Sequence, residues 1–377
     1  MNNFKMKTQI YFGQGALGRL DEVGNKKVFV VTDSFMVKSD MIKNITDRLK
    51  NADITIFSDI VPDPPIETIV QGIEALQKAK PEILIALGGG SAIDAAKAIM
   101  DFSKKITSVK DMQFIAIPTT SGTGSEVTSF AVITDKSKGI KYPLVSDDLL
   151  PNVAILDPEL VKSVPAGITA DTGMDVITHA LEAYVSTDAS DFSDALAEKA
   201  IVLAFKYLIP AYKDGGNLEA REKMHNASCL AGIAFNAASL GLNHGIAHVL
   251  GGKFHVPHGR TNAILLPYIV EFNADIVGYE NNDFSRAAEK YANISKLLGL
   301  PCGNARAGVR SLINEIKKLQ KDMKMPTTLK ACGVSMEDLS ALKEDIATLA
   351  LLDACTATNP KIVTSLDVIE IIGKIKE

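Results

Sequence analysis

The histidines of this chain are concentrated in two short stretches, and their spacing indicates metal chemistry. Four of the six lie between Asn243 and Arg260, and a fifth, His179, follows Asp175 by four residues. Imidazole and carboxylate groups together are ligands of divalent first-row metals, iron and zinc especially. The sequence therefore predicts a metal site that draws on both stretches.

Helical spacing explains how these ligands can meet. Asp175 and His179 are four residues apart, as are His244 and His248, so each pair lies on one face of a helix. An isolated pair of this kind is usually a surface contact, but two pairs together favour a shared ion. Three imidazoles and one carboxylate leave a divalent ion positively charged, with a position open to an exogenous oxygen. Spacing alone leaves open which one or two clustered histidines are not ligands.

The residues around His258 indicate a loop. Pro257 precedes it and Gly259 follows it, so we expect its ring to swing back towards the helix that carries the other histidines. Glu182 lies on a face similar to that of Asp175, and we expect it to be a solvated helix residue.

Two loops of small residues in the first half of the chain favour a phosphate-binding site. The apolar run Ile83 to Leu87 leads into Gly88, Gly89, Gly90 and Ser91, and then into a helix-forming segment. Such a turn points backbone N–H groups and the positive end of a helix at a phosphate. The pattern matches neither standard nucleotide-binding glycine motif, so a simple tight turn is the alternative. A second loop, Thr119 to Glu126, follows the apolar run Phe114 to Ile117.

Asp33 has two interpretations. It ends the apolar run Lys27 to Thr32, where a carboxylate can accept hydrogen bonds from a ribose 2′-hydroxyl and so favour NAD over NADP. It is equally well placed to cap the helix predicted from Phe35 to Leu49.

These candidate sites belong to two differently patterned halves. Residues 1–165 alternate short apolar runs with helical segments, which predicts an α/β domain with a parallel sheet. Residues 166–377 are helix-periodic almost throughout, which predicts an all-α domain. Within the first half we also expect an edge strand near the start and a hairpin that pairs Val127 to Thr134 with a segment beginning at Lys141.

Composition limits the classes of function. The 377 residues carry a net charge of −5, which gives no basic surface for nucleic acid. No apolar run approaches the roughly 20 residues of a membrane span, and the amino terminus lacks a secretory h-region. The four cysteines show no Cys-x-x-Cys spacing, so we expect free thiols in a reducing, cytoplasmic compartment.

A metal beside a dinucleotide indicates hydride transfer, in which an ion that stabilises an alkoxide favours delivery of hydride to nicotinamide. The first alternative is a metal-dependent lyase with bound NAD, which would need basic side chains for a substrate phosphate. Near the ligands the sequence offers only Lys253 and Arg260. The second alternative is an inactive scaffold, against which the complete ligand set argues.

Four motifs resemble the iron-containing (group III) alcohol dehydrogenases and occur in that family's order. They are Gly88-Gly-Gly-Ser-Ala-Ile-Asp94, Pro118-Thr-Thr-Ser-Gly-Thr-Gly-Ser-Glu126, Gly173-Met-Asp-Val-Ile-Thr-His-Ala-Leu-Glu182, and His244 to Gly259. The resemblance implies a Rossmann-like NAD domain followed by a helical metal-binding domain. It implies Fe²⁺, with Zn²⁺ as the alternative, on Asp175, His179, His244 and His258. His248 then matches a non-ligand catalytic histidine near the nicotinamide, and His255 is left as a cleft-lining or structural residue.

The resemblance also implies a set of dinucleotide contacts. They fall on Asp33, Gly88, Gly89, Gly90, Ser91, Asp94, Thr119, Thr120, Thr128 and Lys141.

Three further runs resemble family members that reduce propionaldehyde to 1-propanol during bacterial 1,2-propanediol utilisation. These runs are Gly139 to Pro143, Ser190 to Ala200 and Lys223 to Ser228; the last contains His225, for which we expect a structural role. The resemblance implies a small alcohol or aldehyde substrate, with a glycerol- or 1,3-propanediol-type dehydrogenase as the alternative. It also implies a homo-oligomer. Further partners that the resemblance implies are a microcompartment shell or an aldehyde-producing enzyme. The alternative to a cytoplasmic localisation is then the interior of such a microcompartment.

Overall fold

The computed structural model describes residues 3–106, 112–136, 140–276 and 284–377. The chain divides into two compact units. One comprises Met1–Val164 with Gly215–Gly232, and the other comprises Pro165–Asp214 with Ile233–Glu377. The segment Gly215–Gly232 thus groups with the first unit although it follows the predicted boundary near residue 165.

The first unit is built on a six-stranded, entirely parallel sheet. Its strands are β1 (Gln9–Phe12), β2 (Lys27–Asp33), β3 (Asp53–Ile60), β4 (Ile83–Gly88), β5 (Gln113–Pro118) and β8 (Val153–Leu156), in the order β1-β8-β5-β4-β2-β3. This confirms the predicted parallel sheet, and β1 lies at an edge as expected.

Apolar residues on both faces of the sheet explain the unbroken hydrophobic runs of the central strands. Phe29, Val31 and Leu84 belong to one buried layer, together with residues of the helices that cover that face. Val30 and Ile85 belong to a second layer on the opposite face. A strand covered on both sides has no polar face, so the sequence does not alternate.

The connections from β2 through β3 and β4 to β5 are helical. They comprise α1 (Ser34–Lys38), α2 (Lys43–Thr46), α3 (Ile66–Ala79) and α4 (Gly90–Ile106). The predicted hairpin is confirmed, because β6 (Phe130–Asp135) pairs antiparallel with β7 (Ile140–Val145). The predicted contact of Lys141 with a dinucleotide falls on a side chain outside the described residues.

The second unit is helical, which confirms the predicted fold class. Its helices are α5 (Ala166–Val185), α6 (Asp191–Lys213), the end of α7 (Leu218–Ala238), α8 (Leu242–Phe254), α9 (His258–Ala274), α10 (Arg286–Leu297), α11 (Ala305–Asp322), α12 (Met336–Leu352) and α13 (Ser365–Ile375). A buried apolar cluster joins α8, α9, α12 and α13, and so holds the helices of His244 and His258 in a rigid core. Among the helices that are described, none is both long and apolar enough to cross a membrane.

Candidate active site

One face of α5 supplies three polar side chains to the interior of the second unit. Asp175, His179 and Glu182 follow each other at four and three residues, which places them in line along the helix. All three are buried, with 2–4% of each residue exposed. Buried polar groups require partners, so their alignment indicates a site rather than a solvated face.

Helices α8 and α9 bring the other histidines to this face. α8 carries His244 in its first turn and is followed by its C-cap His255, whose backbone is left-handed with φ of 56°. Three residues later α9 begins at His258, with Pro257 as its N-cap. The predicted loop around His258 is therefore wrong: Pro257 is compatible with the helix start, where a missing N–H costs nothing. His255, expected to be a cleft-lining or structural residue, is the C-cap of α8.

Gly259 lets α9 approach α5 closely. A Cβ at this position would lie 2.2 Å from the backbone oxygen of Asp171, so any side chain would force the two helices apart. Beside it, the Arg260 guanidinium donates two hydrogen bonds to the carboxylate of Asp171, at 3.1 and 2.9 Å. These two contacts hold His258 next to Asp175.

Asp175, His179, His244 and His258 converge on one point. One ligand atom from each lies within 4.8 Å of the others. The Nε2 atoms of His244 and His258 lie 3.8 and 3.6 Å from Asp175 Oδ1. Ligands bound tetrahedrally at ordinary metal–nitrogen distances are separated by about 3.4 Å. The donor types, their burial and these separations fit a divalent ion with small adjustments.

The electrostatics of the cluster also suit a cation. Burial raises the pKa of Asp175, but the surrounding imidazoles of His179, His258 and His244 outweigh it and hold that pKa well below its usual range. Burial lowers the pKa of His258, which keeps its lone pair available. Burial lowers the pKa of His244, but the carboxylates of Glu182 and Asp175 outweigh it and raise that pKa to about 9, so a metal that binds the cluster displaces a proton from His244.

Glu182 orients His244. Its Oε2 accepts a hydrogen bond from the Nδ1 of His244, and its Oε1 accepts one from the backbone N–H of Asn243 at 2.6 Å. The expectation of a solvated helix residue is wrong, because periodicity along α5 cannot show what packs against it. Because Glu182 holds a proton on Nδ1, Nε2 is the nitrogen of His244 that faces Asp175 and can bind a metal.

Asn262 is a site residue that the sequence analysis missed. Its Nδ2 donates to Asp175 Oδ1 at 2.7 Å and lies 3.0 and 3.1 Å from the Nε2 atoms of His244 and His258. Asn243 donates to Asn262 Oδ1 at 2.8 Å, which fixes the orientation of the amide. The spacing of four residues from His258 would have indicated this contact, had His258 been placed in a helix.

We expect Glu182→Gln to weaken metal affinity by roughly 10- to 100-fold, because Nδ1 of His244 loses its carboxylate acceptor. Competition with a chromophoric chelator, using protein reconstituted with Zn²⁺, measures the dissociation constant directly. Glu271→Gln on the exposed surface of α9 is the matched control, since its side chain is 63% exposed. Equal affinities in the two variants would mean that Glu182 does not orient a ligand.

His248 lies beside the four-ligand cluster without being part of it. Its ring stacks on that of His258 with centroids 5.3 Å apart, and its Nδ1 donates to Asp353 Oδ2 at 2.9 Å. The carboxylate therefore fixes the tautomer in which Nε2 carries a lone pair.

The first unit has its own candidate site at the carboxyl ends of β2 and β4. The chain leaves β2 towards β3 on one side of it, and leaves β4 towards β5 on the other side. The strand order therefore reverses between β2 and β4. Open parallel sheets bind nucleotides at such a crevice. α4 begins at Gly90, immediately beyond the end of β4, so the predicted strand, glycine turn and helix are confirmed.

The predicted dinucleotide contacts divide into two groups. The first group lies at the crevice and comprises Asp33, Gly88 to Ser91, Thr119 and Thr120. The backbone N–H of Thr119 donates to the backbone oxygen of Gly88 at 3.0 Å, and Thr120 lies beside Gly89. Asp33 caps α1, as Oδ1 accepts from the N–H groups of Phe35 and Met36 at 2.8 and 3.0 Å, so its interpretation as a helix cap is confirmed. The predicted extent of that helix is wrong, because α1 ends at Lys38 and not at Leu49.

Asp94 and Thr128 instead face a polar network inside the unit. Asp94 accepts hydrogen bonds from Ser125 Oγ at 2.6 Å and from the N–H of Val132 at 3.0 Å. Lys97 donates to Thr128 Oγ1 at 3.1 Å. His225 is also buried in this unit, with Nδ1 3.0 Å from Ser121 Oγ, in keeping with a structural role.

Comparison with known proteins identifies the family of this chain. Residues 7–158 match the family model described as iron-containing alcohol dehydrogenase, and residues 169–375 match the C-terminal model of the same family. The 1-propanol dehydrogenase PduQ of Citrobacter freundii is 49% identical over 96% of each chain. The NADPH-dependent butanol dehydrogenase of Clostridium saccharobutylicum is 40% identical over 96% of this chain and 94% of its own.

A solved structure shares both the fold and the sequence pattern. The sulfoacetaldehyde reductase of Bifidobacterium kashiwanohense in complex with NAD⁺ superposes with a TM-score of 0.85 and 30% identity, covering 100% of this chain and 98% of its own. The family models cover nearly the whole chain and include all four converging residues. This chain therefore belongs to the iron-containing alcohol dehydrogenase family and is an alcohol oxidoreductase.

Proposed function

We propose that this protein interconverts a short primary alcohol and its aldehyde, with a divalent metal on Asp175, His179, His244 and His258 and with NAD as the hydride carrier. The convergence of these four side chains in one buried cluster carries the proposal. We infer Fe²⁺ as the resident ion from the family; nitrogen and carboxylate ligands also suit Zn²⁺.

When bound, the metal supplies Lewis-acid polarisation of the substrate oxygen. His248 supplies proton transfer. Asp353 holds the proton on Nδ1, so Nε2 can accept the proton of an alcohol or, when protonated, return one to the reduced aldehyde. Asn262, Glu182 and the Arg260–Asp171 pair keep the ligand atoms in place during the reaction.

We propose propionaldehyde as the preferred substrate, reduced to 1-propanol while NADH is oxidised to NAD⁺. The support is the 49% identity with a 1-propanol dehydrogenase over nearly the full length of both chains. On the same similarity we propose that the protein is localised in the cytoplasm, and more specifically inside a bacterial microcompartment. A homo-oligomeric assembly is a further part of this proposal.

The test is elemental analysis of anaerobically purified protein, combined with NADH oxidation in the presence of C2–C4 aldehydes and 3-hydroxypropanal. We expect one metal ion per chain and the highest kcat/KM with propionaldehyde. A preference for 3-hydroxypropanal would support the polyol alternative. Protein that binds no metal, or that oxidises NADH with none of these aldehydes, would refute the proposal.

Asp33 is proposed to select NAD. Its Oδ1 caps α1, while its Oδ2 faces Gly88, where a Cβ would lie 3.6 Å from it. A carboxylate here repels the 2′-phosphate of NADP, so we expect Asp33→Asn to raise the NADPH/NADH ratio of kcat/KM by at least about tenfold. Asparagine retains the capping acceptor, whereas Asp33→Gly also loses the cap. An unchanged ratio in both variants would rule out this role.

A further inference from the structure

A second group of metal-ligating side chains lies beside the first. His248, Asp353 and Cys355 each offer one ligand atom, and these atoms lie within 4.8 Å of one another. All three residues are partly buried, with the side chains of His248 and Asp353 36% and 20% exposed. An ion from solvent can therefore reach them.

The backbone fixes two of these ligands. Asp353 ends α12 and caps the short 3-10 turn Ala354–Thr358, its Oδ1 accepting from the N–H of Cys355 at 2.9 Å. The turn is anchored by Thr356, whose hydroxyl donates to the backbone oxygen of Ala350 at 2.6 Å. The other carboxylate oxygen, Oδ2, accepts from Nδ1 of His248.

The chemistry of this group differs from that of the first cluster. A carboxylate, a thiolate and a neutral imidazole exactly balance a divalent charge, whereas one carboxylate with three imidazoles does not. Thiolate is a soft ligand that favours Zn²⁺ over Fe²⁺ or Mg²⁺. His248 Nδ1 and Asp353 Oδ2 are 2.9 Å apart and share a proton; tetrahedral zinc would widen this separation to roughly 3.3 Å.

We propose that His248, Asp353 and Cys355 form a second, inhibitory site for Zn²⁺ or a cation of similar softness, with water as the remaining ligand. On binding, the ion takes the Nδ1 lone pair of His248, whose proton moves to Nε2, and the thiol proton of Cys355 leaves to solvent. His248 is then fixed to an ion and no longer free to relay a proton. The existence of the site does not depend on the proposed function; its inhibitory effect does.

Cobalt reports thiolate ligation directly. Protein whose first site holds one equivalent of Zn²⁺ is titrated anaerobically with Co²⁺, and near-ultraviolet absorption is followed for a thiolate-to-Co²⁺ charge-transfer band. We expect one further equivalent to bind with this band in the wild-type protein and in Cys302→Ser, a matched change at another partly buried cysteine. Cys355→Ser should lose the band. A band that never appears, or that persists in Cys355→Ser, would overturn the site.

Inhibition provides the second measurement. We expect excess Zn²⁺ to inhibit propionaldehyde reduction reversibly. Cys355→Ser should need a Zn²⁺ concentration at least roughly tenfold higher for the same fractional inhibition. The rate of each protein is compared with its own rate without added zinc. Exchange of zinc into the first site alone would inhibit wild type and Cys355→Ser at the same concentration. That result would refute the inhibitory role, while the cobalt band tests the site without any activity measurement.

Discussion

His258→Ala is expected to lose the bound metal and aldehyde reduction together. His258 Nε2 lies 3.6 Å from Asp175 Oδ1 and supplies one of four converging ligand atoms, so its removal opens the cluster to water. Polarisation of the substrate by the metal lowers the activation barrier by several kcal/mol. We therefore expect kcat/KM to fall by about 10³-fold or more when the metal is lost. Metal content by elemental analysis and NADH oxidation by the same preparation measure both effects.

His248→Ala is the matched variant, since its ring stacks on His258 but its Nδ1 is bonded to Asp353. We expect it to keep one equivalent of metal and to lose about 10²- to 10⁴-fold in kcat, the usual contribution of a positioned general acid or base. Circular dichroism of both variants establishes that they are folded. Equal metal loss in both would exchange the two roles, and full metal retention in His258→Ala would remove His258 from the ligand set.

The metal cluster was predictable because helical spacing depends on local geometry. Asp175 and His179 lie together because one turn of helix separates them. Their proximity to His244 was inferred from ligand chemistry, and the structure places all three residues in one cluster. The conformation at His258 was not predictable from its neighbours. Pro257 and Gly259 are typical of turns, yet here one begins a helix and the other permits contact with α5.

Supporting polar residues were harder to recognise than the ligands. Glu182 and Asn262 occupy ordinary helical positions, and only the packing of α5 against α8 and α9 turns them inward. The same limit applies to chain connectivity. Residues 215–232 continue the helical pattern of the second half, but Arg221 donates to the backbone oxygen of Val164 at 2.8 Å and so packs with the first unit. Sequence periodicity predicts an element and does not say which core it joins.

Lys97→Met is expected to lower the free energy of unfolding by roughly 3–5 kcal/mol, because it removes a buried ammonium group and leaves its hydrogen-bond acceptors and a nearby carboxylate without a cation. Lys97 is fully buried on α4, and its three N–H donors are shared among four oxygens, Ser125 Oγ, Thr128 O, Thr128 Oγ1 and Phe130 O, which lie 2.6–3.1 Å from Nζ. Burial lowers the pKa of Lys97 to about 8, and the carboxylates of Asp94 and Glu126 oppose that shift. Methionine fills a similar volume but leaves these oxygens and Asp94 without their cation.

Calorimetric unfolding of the metal-loaded protein, with hydrogen exchange across residues 125–132, measures the loss where it should be greatest. Lys105→Met is the control on the same helix, because Lys105 is 63% exposed in its pair with Asp101 and should change stability by only about 0.5 kcal/mol. The double variant Asp94→Asn/Lys97→Met should be less destabilised than the sum of the single changes, since it leaves no buried carboxylate at Asp94. Additive effects, or exchange that stays slow in Lys97→Met, would show that the segment from Ser125 to Phe130 is held by its apolar contacts and not by the ammonium group.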